Sequence, residues 1–456
     1  MATWRPTLTD SGKPRYLAIA DAVEEDIRNG TLAPGDRLPP QRKLAEWLGI
    51  DFTTVSRAYT EAQSRGLIDS HVGRGTFVLG TDAGDVGPDP ARSSQEDLAM
   101  NMPPEPTDAA LLAKMREGLE YVSTNLIPLL RYQSAIGGEK DKIAASTWLS
   151  LRGMVPKLDR VAVTPGAHAT MTAILATITN PGDIVLCERI TYPGIRAIAG
   201  RLRVKLVGVE MDGQGILPDA IEKAVKAFGA KALYLNPTLQ NPTTITVPTE
   251  RRLEISQVLR KHGLPLIEDD AYGFIPTKAP APLAVSAPEL SWYIGGLAKC
   301  IGAGLRLAYT VVPSAKDAYA LAEALKAVSV MPSPLGMVLA TRWIEDGTAD
   351  RIRRFIRAET AARQQLASEV LKDFDYIAAE NAFNVWLRLP EGAGRADIIA
   401  RMAGRHIGII PSDAFTVGGS PSEHVRVCLG GSIGREALRS GLLFMSHTLT
   451  QNAYSG

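Results

Sequence analysis

The stretch GGLAKCIGAGLRLAY, residues 295–309, contains a lysine, Lys299, that stands among small and apolar residues. An arginine, Arg306, follows seven positions later. An amine in such surroundings suits a Schiff base with a carbonyl group, and a nearby guanidinium suits a phosphate. The pair therefore predicts a site for a cofactor that carries both an aldehyde and a phosphate.

Other residues offer the partners that a phosphorylated pyridine aldehyde would need. The pyridine nitrogen needs a carboxylate to keep it protonated, and IEDDAYGF offers Asp269 and Asp270 after an apolar run, with Asp269 preferred. Tyr272 in the same stretch and Asn241 in LQNPTT can hydrogen-bond a phenolic oxygen. The acidic pair could also be ordinary acids at the end of a strand, and this alternative stays open.

A phosphate and a ring face need partners of a different kind. TPGAHATM places Gly166, Ala167 and His168 at a predicted turn from strand to helix, where free amides and the helix dipole favour an anion. Tyr192 in ERITYPG can stack on an aromatic ring. A half-buried tyrosine at a turn is the alternative.

Apolar runs that alternate with helical patterns position these residues. Alternating strands and helices predict a mostly parallel sheet that is covered on both faces, and ligands of such sheets bind beyond the carboxyl ends of the strands. After about residue 345, a long basic helix and short strands predict a smaller α+β subdomain, 345–450. The strands are expected at 160–166, 183–188, 231–237, 264–270 and 291–299, and an amphipathic helix at 249–263.

The first eighty residues have a different pattern. A helix over 15–30 precedes two short helices, QRKLAEWLG and TTVSRAYTEAQSRG, whose spacing is that of a helix-turn-helix. Asp51 or Thr53 can cap the second helix, and Gly66 can end it. A buried face of Val55, Ala58, Tyr59 and Ala62 would leave Thr53, Thr54, Ser56 and Arg57 near the end that meets a major groove.

The stretch GLIDSHVGRGTFVLG then predicts a β-hairpin wing with Arg74 at its tip. A small structural domain with a surface hairpin is the alternative. Charge does not separate the two, because residues 1–78 contain ten Lys/Arg and ten Asp/Glu.

Length, composition and charge limit the classes of protein to which the chain can belong. The chain has 456 residues, of which 45% are hydrophobic and 22% charged, and its net charge of +1 gives no global attraction to nucleic acid or membrane. Three scattered cysteines without metal-ligand spacing predict a reducing, cytoplasmic location. No apolar run approaches membrane-spanning length. The segment rich in Gly, Pro, Asp and Ser predicts three parts: a domain over 1–79, a flexible linker over 80–97 and a domain over 98–450.

Residues 14–79 resemble the winged helix-turn-helix of the GntR family of bacterial regulators, through PGDRLPPQRKLAEWLGI, TTVSRAY and GRGTFV. In several family members, Phe52 or Ser56 would be basic instead. The resemblance implies binding to double-stranded DNA, with contacts from Arg42, Thr53, Thr54, Arg57 and Arg74.

From about Leu98 onward the chain resembles the fold type I aminotransferases, which use pyridoxal 5'-phosphate (PLP). TPGAHATM, TYPG, NPTLQNPTT, IEDDAYGF and YIGGLAKCIGAGLRLAY carry the resemblance. The chain departs from the family where phosphate-binding serines often precede the lysine, at 296–298, and where Thr244 replaces a glycine. The resemblance implies that Lys299 forms the Schiff base, that Asp269 contacts the pyridine nitrogen and that Tyr192 stacks on the ring. It also implies that Asn241 and Tyr272 bind the phenolic oxygen. The residues implied to bind the phosphate are Gly166, Ala167, His168 and Arg306.

Two further roles rest on this resemblance alone. Arg426 in HVRVCLGG matches the arginine that grips a substrate carboxylate, for which a solvated strand charge is the alternative. Tyr132 in LLRYQSAIGG resembles a tyrosine that reaches the phosphate across a dimer interface.

The order of the two domains resembles the MocR subfamily of regulators. The resemblance implies a dimeric transcription factor that senses an amino compound, or PLP itself, through an aldimine at Lys299. Two alternatives stay open: a PLP-dependent aminotransferase with a fused DNA-binding domain, and a dimerisation scaffold whose site has decayed.

Overall fold

A computed structural model describes residues 4–6, 13–33, 35–71, 75–79 and 100–453. The chain divides into two compact units, Met1–Gln95 and Glu96–Gly456. Residues 80–97, predicted as the linker, and Arg74, predicted at the wing tip, lie outside the described residues.

The first unit contains three helices followed by a hairpin. Asp51 begins the third helix, because its side chain accepts a hydrogen bond from the Thr53 amide at 2.7 Å. Gly49 ends the second helix in the left-handed conformation, with φ 61°, which favours glycine. The elements are α1 (Arg15–Arg28), α2 (Gln41–Leu48), α3 (Phe52–Ser64), β1 (Ile68–His71) and β2 (Gly75–Val78), the two strands being antiparallel.

The core of this unit lies between α1, α2 and α3. Val55, Ala58, Tyr59 and Ala62 of α3 are buried, as the helical periodicity predicts. The Tyr59 hydroxyl donates to the Pro39 carbonyl at 2.6 Å, so the polar end of this buried ring is satisfied. The opposite side of α3 is left open to solvent.

A seven-stranded sheet organises the second unit. Its strands are β3 (Val161–Thr164), β4 (Ile184–Glu188), β5 (Lys205–Val209), β8 (Ala232–Leu235), β9 (Leu266–Asp269), β10 (Ser291–Gly296) and β11 (Ala308–Val311), with a small separate hairpin of β6 (Met211–Asp212) and β7 (Gly215–Ile216). The order in the sheet is β3-β11-β10-β9-β8-β4-β5; β11 is antiparallel to both of its neighbours, and the other pairs are parallel. The mostly parallel sheet predicted from the sequence is therefore present.

Helices cover both faces of this sheet. On β8, Tyr234 packs into one apolar core, whereas Leu233 and Leu235 pack into another, so alternate side chains are buried on opposite faces. The helices of this part are α4 (Ala109–Thr124), α5 (Leu126–Leu129), α6 (Glu139–Ser150), α7 (Ala167–Ile178), α8 (Pro193–Leu202), α9 (Pro218–Phe228), α10 (Thr249–His262), α11 (Leu283–Ser286), α12 (Ala315–Ser329) and α13 (Pro334–Glu345).

The smaller α+β part expected from the sequence follows. Its elements are α14 (Thr348–Val370), β12 (Tyr376–Ile377), β13 (Asn384–Arg388), α15 (Arg395–Met402), β14 (Ile409–Pro411), β15 (His424–Cys428) and α16 (Arg435–Ala453). The strands form a second, antiparallel sheet in the order β12-β13-β15-β14. On β15, Val425 and Val427 face an apolar core with Leu438 and Leu442, while Arg426 between them points to the other side.

Within the described part of the chain, no helix is both long and apolar enough to cross a membrane.

Candidate functional site

A cavity of about 370 Å³ opens beyond the carboxyl ends of the parallel strands, within the usual range for small-molecule sites. Ile410 of the second sheet and Phe415, which follows a short turn after that strand, also line the cavity. Tyr132 is not among the lining residues, and its side chain is 86% exposed. The predicted residues that the structure brings together here are Gly166, Ala167, His168, Tyr192, Asn241, Asp269, Tyr272, Lys299, Arg306 and Arg426.

Lys299 lies just beyond β10 and not in it. The strand ends at Gly296, and Ala298–Gly302 form one turn of π-helix in which the Gly302 amide donates to the Leu297 carbonyl. The sequence prediction that the strand runs to Lys299 is therefore wrong by three residues. The Lys299 amine donates to the Asn101 carbonyl at 2.5 Å.

The environment of Lys299 favours a neutral amine. Burial, together with the nearby positive charge of Arg426, lowers the pKa of the Lys299 amine from 10.5 to about 8. A neutral amine is the nucleophilic form, so Lys299 is prepared for reaction with a carbonyl group.

The two neighbouring aspartates have separate environments. Asp270 accepts from the Arg152 Nε and from the Tyr293 hydroxyl, each at 2.8 Å, and belongs to a buried structural ion pair. Asp269 lines the cavity and accepts from the Tyr234 hydroxyl at 2.9 Å. Burial raises the pKa of Asp269 to about 6. The structure thus places Asp269, and not Asp270, in the cavity.

The second oxygen of Asp269 has chemical significance. This Oδ1 atom is buried and has no hydrogen-bond partner among the described residues. A buried carboxylate oxygen without a donor is costly, so a ligand that brings an N–H group would be stabilised there.

Asn241 and Tyr272 both line the cavity. The Asn241 side-chain oxygen accepts from Arg426 Nη1 at 2.9 Å, and the Tyr272 hydroxyl accepts from Asn101 Nδ2 at the same distance. Thr244, where the family pattern has glycine, keeps the left-handed conformation with φ 62°. The loop therefore retains the backbone of a glycine position despite the substitution.

One end of the cavity is suited to an anion. Gly166, with φ 88°, turns the chain from β3 into α7, and Ala167 and His168, whose amides begin this helix, line the cavity. A Cβ atom on Gly166 would lie 3.4 Å from Arg306 Nη2, so the guanidinium is beside this turn. Burial and the charge of Arg306 lower the pKa of His168, which favours a neutral imidazole.

The Tyr192 ring lies against the backbone of the helix that it precedes. A Cβ atom on Gly194 would be 2.2 Å from Tyr192 Cε1, so only glycine leaves room for this ring position. Burial also raises the pKa of the Tyr192 hydroxyl.

Arg426 is buried, with 4% of its surface exposed, and is not the solvated strand charge considered from the sequence. Its guanidinium carbon lies 5.2 Å from the centroid of the Phe415 ring, and its Nη1 donates to Asn241. This arginine therefore faces the cavity in a fixed orientation.

Sequence reasoning missed several residues that hold this arrangement. Asn236 donates from Nδ2 to the Asp269 carbonyl at 2.6 Å and accepts from the Asn241 amide at 2.8 Å. Its own amide donates to Glu188 Oε2 at 3.2 Å. Burial, reinforced by Asp269, raises the pKa of Glu188 to about 8. Asn101 and Glu188 carry no motif, because their partners come from distant parts of the chain.

These observations fit PLP. The unpartnered Asp269 oxygen suits the pyridine N–H, the start of α7 with Arg306 suits the phosphate, and the buried Lys299 amine suits the aldehyde. The serines missing before Lys299 are replaced by Gly296 and Ala298, which line the cavity without adding donors.

The first unit presents the predicted DNA-contacting residues on its open side. Arg42, Thr53 and Arg57 are exposed and Thr54 is half-exposed. Both the amide and the hydroxyl of Thr53 donate to Asp51, so Thr53 also serves the helix cap.

Two cations that sequence reasoning did not select lie on the same unit. The Arg5 guanidinium carbon lies 4.4 Å, and the Lys43 amine 5.1 Å, from the centroid of the Trp47 ring. Arg57 is 5.4 Å from the ring centroid of Tyr16.

Comparison with protein families agrees with this division. Residues 15–78 match the family described as bacterial regulatory proteins, gntR family, and residues 99–438 match aminotransferase class I and II. The solved structure of the α-aminoadipate aminotransferase LysN from Thermus thermophilus is similar to this chain, with a TM-score of 0.71 and 21% sequence identity. The similarity covers 80% of this chain and 97% of LysN. The second unit thus has the fold type I aminotransferase fold expected from its resemblance.

Relatives match both parts of the chain. The HTH-type transcriptional regulator YdeF of Bacillus subtilis is 30% identical, over 98% of this chain and 97% of YdeF. The HTH-type transcriptional regulator TauR of Rhodobacter capsulatus is 24% identical, over 94% of this chain and 96% of TauR. The chain therefore belongs to the HTH-type transcriptional regulators of the MocR type, in which a GntR helix-turn-helix precedes an aminotransferase class I and II domain.

Proposed function

We propose that the protein is a PLP-dependent transcriptional regulator of the cytoplasm that binds operator DNA as a dimer and senses an amino compound, or PLP itself, at Lys299. The convergence of the Lys299 amine, the free Asp269 oxygen and Arg426 in one cavity carries the proposal. Because this cavity and a helix-turn-helix occur in the same chain, the arrangement favours sensing that is coupled to DNA binding.

The residues that would hold PLP divide by chemistry. Gly166, Ala167, His168 and Arg306 would bind the phosphate, and Asn241 with Tyr272 the phenolic oxygen. Tyr192 would stack on the ring. When bound, PLP supplies an electrophilic carbonyl and a ring that withdraws electrons.

The chain's own groups then act in distinct ways. Asp269 would hold a proton at the ring nitrogen, and its buried position would exclude water from that contact. Lys299 provides the neutral amine, while Arg426 orients an incoming amino acid by its carboxylate. Arg426 also disfavours protonation of Lys299, because the two positive charges share one buried site.

DNA recognition is assigned to α3 and its surroundings. Arg57 and Arg42 would contact base edges or phosphates, and Thr53 and Thr54 phosphates near the start of the helix. Arg74 at the predicted wing tip would add a further contact. A twofold dimer would present two such helices to paired half-sites.

The dimer is supported by exposed apolar side chains near Tyr132. Ile127 is 67% exposed and Leu130 65%, and both lie close to Tyr132 in the sequence. Large apolar side chains that are exposed as a group mark an interaction surface. Tyr132 would reach the phosphate of the partner's site. Sedimentation of the purified chain tests the dimer, and Leu130→Lys should dissociate it.

The proposal is tested by absorbance and footprinting on one preparation. The purified protein should bind PLP with a visible absorbance band that Lys299→Ala abolishes, and it should protect a specific DNA sequence. An unchanged band in the variant would remove the role of Lys299.

An aminotransferase is the second candidate, favoured by the presence of Lys299, Asp269 and Arg426 in one cavity. The two functions separate on turnover: incubation with amino acids and oxo-acids gives sustained product formation in an enzyme and a single spectral change in a sensor. Steady turnover without a specific footprint would favour the enzyme.

A further inference from the structure

Asn101 lies at the start of the described part of the second unit, next to Met100. It lines the cavity, and only 4% of its surface is exposed. Its carbonyl accepts from the Lys299 amine, and its Nδ2 donates to the Tyr272 hydroxyl and to Asn384 Oδ1, both at 2.9 Å. Its own Oδ1 is buried without a partner among the described residues. One short segment thus contacts the reactive amine, the predicted phenol-binding tyrosine and the second sheet.

The contact with Lys299 depends on the chemical state of the lysine. A free Lys299 amine has hydrogens to donate to the Asn101 carbonyl at 2.5 Å. When the nitrogen is engaged elsewhere this donor is lost, and the carbonyl stays buried without its partner. Burying an unpaired carbonyl is unfavourable, so the segment that carries it responds to the state of Lys299.

The segment is fixed on its C-terminal side. A Cβ atom on Gly430 would lie on top of the Met102 carbonyl oxygen, so the two backbones are in direct contact. The Gly431 amide donates to the Pro103 carbonyl at 3.2 Å. Residues 102 and 103 are thus held in place, and the chain on the N-terminal side of Asn101 leads in sequence to the helix-turn-helix.

Asn384 extends the contact into the second sheet. Its Nδ2 donates to the Pro242 carbonyl at 2.7 Å, next to Asn241, and its carbonyl accepts from Gln364 Nε2 at 3.0 Å. Asn101 is therefore bonded both to Asn384 of the second sheet and to Lys299, whose chemical state can change.

We propose that Asn101 is a positioning residue that receives the Lys299 amine whenever that amine is free, and that it thereby links the state of Lys299 to the chain that leads to the DNA-binding unit. This inference rests on the proposed function, because it needs PLP or an amine to act at Lys299. It adds Asn101 as the residue that connects a change at Lys299 to the chain outside the cavity.

The test compares the full-length protein, free of PLP and saturated with PLP, for affinity to a labelled operator selected from random-sequence duplexes. Saturation is checked by absorbance in each sample. In the unchanged protein PLP should alter the dissociation constant for DNA by about fivefold or more, a coupling of ordinary size. Asn101→Ala keeps the main-chain carbonyl but removes the side-chain bonds to Tyr272 and Asn384 that position it, so in this variant the same ratio should fall below about twofold.

A second variant and a control keep the test sharp. Asn101→Asp preserves the shape but lacks the amide donors to Tyr272 and Asn384, and it should also lose the ratio. Thr107→Ala changes an exposed residue of the same connecting region and should keep it. Amide hydrogen exchange at Met100, Asn101 and Met102 should respond to PLP in the unchanged protein and in the control only.

The outcomes are distinguishable. An unchanged PLP effect on DNA binding in both Asn101 variants would overturn the role of Asn101 and leave the proposed function standing. Variants that cannot be loaded with PLP would make Asn101 a cofactor-binding residue, which also overturns it. A lack of any PLP effect in the unchanged protein would contradict both this inference and the proposed sensing.

Discussion

At the scale of single residues, the chemistry of the cavity depends on a lysine that is easily deprotonated. Lys299 is buried beside Arg426, and both effects disfavour the ammonium form. Burial acts in the opposite direction on Asp269 and Glu188, whose carboxyl pKa values rise to about 6 and about 8. The second unit thus combines a lysine amine that readily becomes neutral with two carboxyl groups, of Asp269 and Glu188, that readily take up a proton.

The pH dependence of PLP loading follows from the Lys299 pKa. Because only the neutral amine attacks a carbonyl, the loading rate should rise by about tenfold per pH unit below pH 8 and level off above it. Stopped-flow absorbance measures this rate. In Arg426→Ala, loss of the neighbouring charge should move the midpoint to higher pH. A midpoint near 10.5, the ordinary lysine value, would contradict the burial of this amine.

The two adjacent aspartates should respond differently to substitution. Asp269→Asn should weaken PLP binding by about tenfold or more, because a charge-assisted hydrogen bond to the ring nitrogen is lost, with little change in melting temperature. Equilibrium titration followed by absorbance measures the affinity.

Asp270→Ala is the matched comparison. It leaves the buried Arg152 charge without its partner, which should lower the free energy of unfolding by about 3–5 kcal/mol. Chemical denaturation measures this loss. Equal effects of the two substitutions on PLP affinity would show that their roles are not separate.

The sequence predicted the residues of the cavity that stand in recognisable stretches, such as Asp269, Tyr272 and Lys299. It could not predict Asn101 or Arg152, because each is defined by partners more than a hundred positions away. Their roles depend on how the strands are ordered, which no local pattern contains.

At the scale of elements, short turns after the strands fix the orientation of the cavity residues. The turn into α8 needs Gly194, because a larger residue would displace the Tyr192 ring. The turn after β10 is a π-helix, and it places Lys299 three residues past the strand.

Gly194→Ala should therefore weaken PLP binding several-fold, while the secondary structure is retained. Gly200→Ala in the same helix is the control, because a Cβ atom there meets nothing within 4 Å. Alanine favours a helix interior by about 1 kcal/mol, so this control should raise the melting temperature and leave PLP affinity unchanged. Similar PLP affinities in the two variants would mean that the Tyr192 ring does not contact the cofactor.

Five strands of the large sheet were predicted as buried apolar runs, and α10 as an amphipathic helix that ends at Gly263, whereas β5 and β11 were not predicted. The direction of β11 could not be predicted either, since a buried strand has the same pattern in either direction. The π-helix was also missed, because apolar residues around Lys299 continue the pattern of the strand.

At the scale of the whole molecule, the net charge of +1 gives no global attraction to nucleic acid, so the proposed DNA binding depends on individual cations such as Arg42 and Arg57. The order of the two parts could be predicted from motifs that lie within each part. A dimer and an effector could not be derived from the pattern of one chain, since both depend on molecules outside it.

The two units should be separable by substitution. Arg57→Ala should weaken operator binding by about tenfold, by loss of one guanidinium contact, and leave the PLP absorbance band unchanged. Arg28→Ala is a matched control, because this exposed arginine of the same unit pairs with Glu24. Fluorescence anisotropy measures both variants. Full DNA affinity in Arg57→Ala would show that α3 does not read DNA with this residue.

The central claim is that the chemical state of Lys299 controls DNA binding. The most direct measurement is the operator affinity of the full-length protein with and without PLP, in the unchanged chain and in Lys299→Ala. PLP should change the affinity of the unchanged chain by about fivefold or more and have no effect on the variant. An equal response to PLP in both proteins, or no response in either, would contradict the claim.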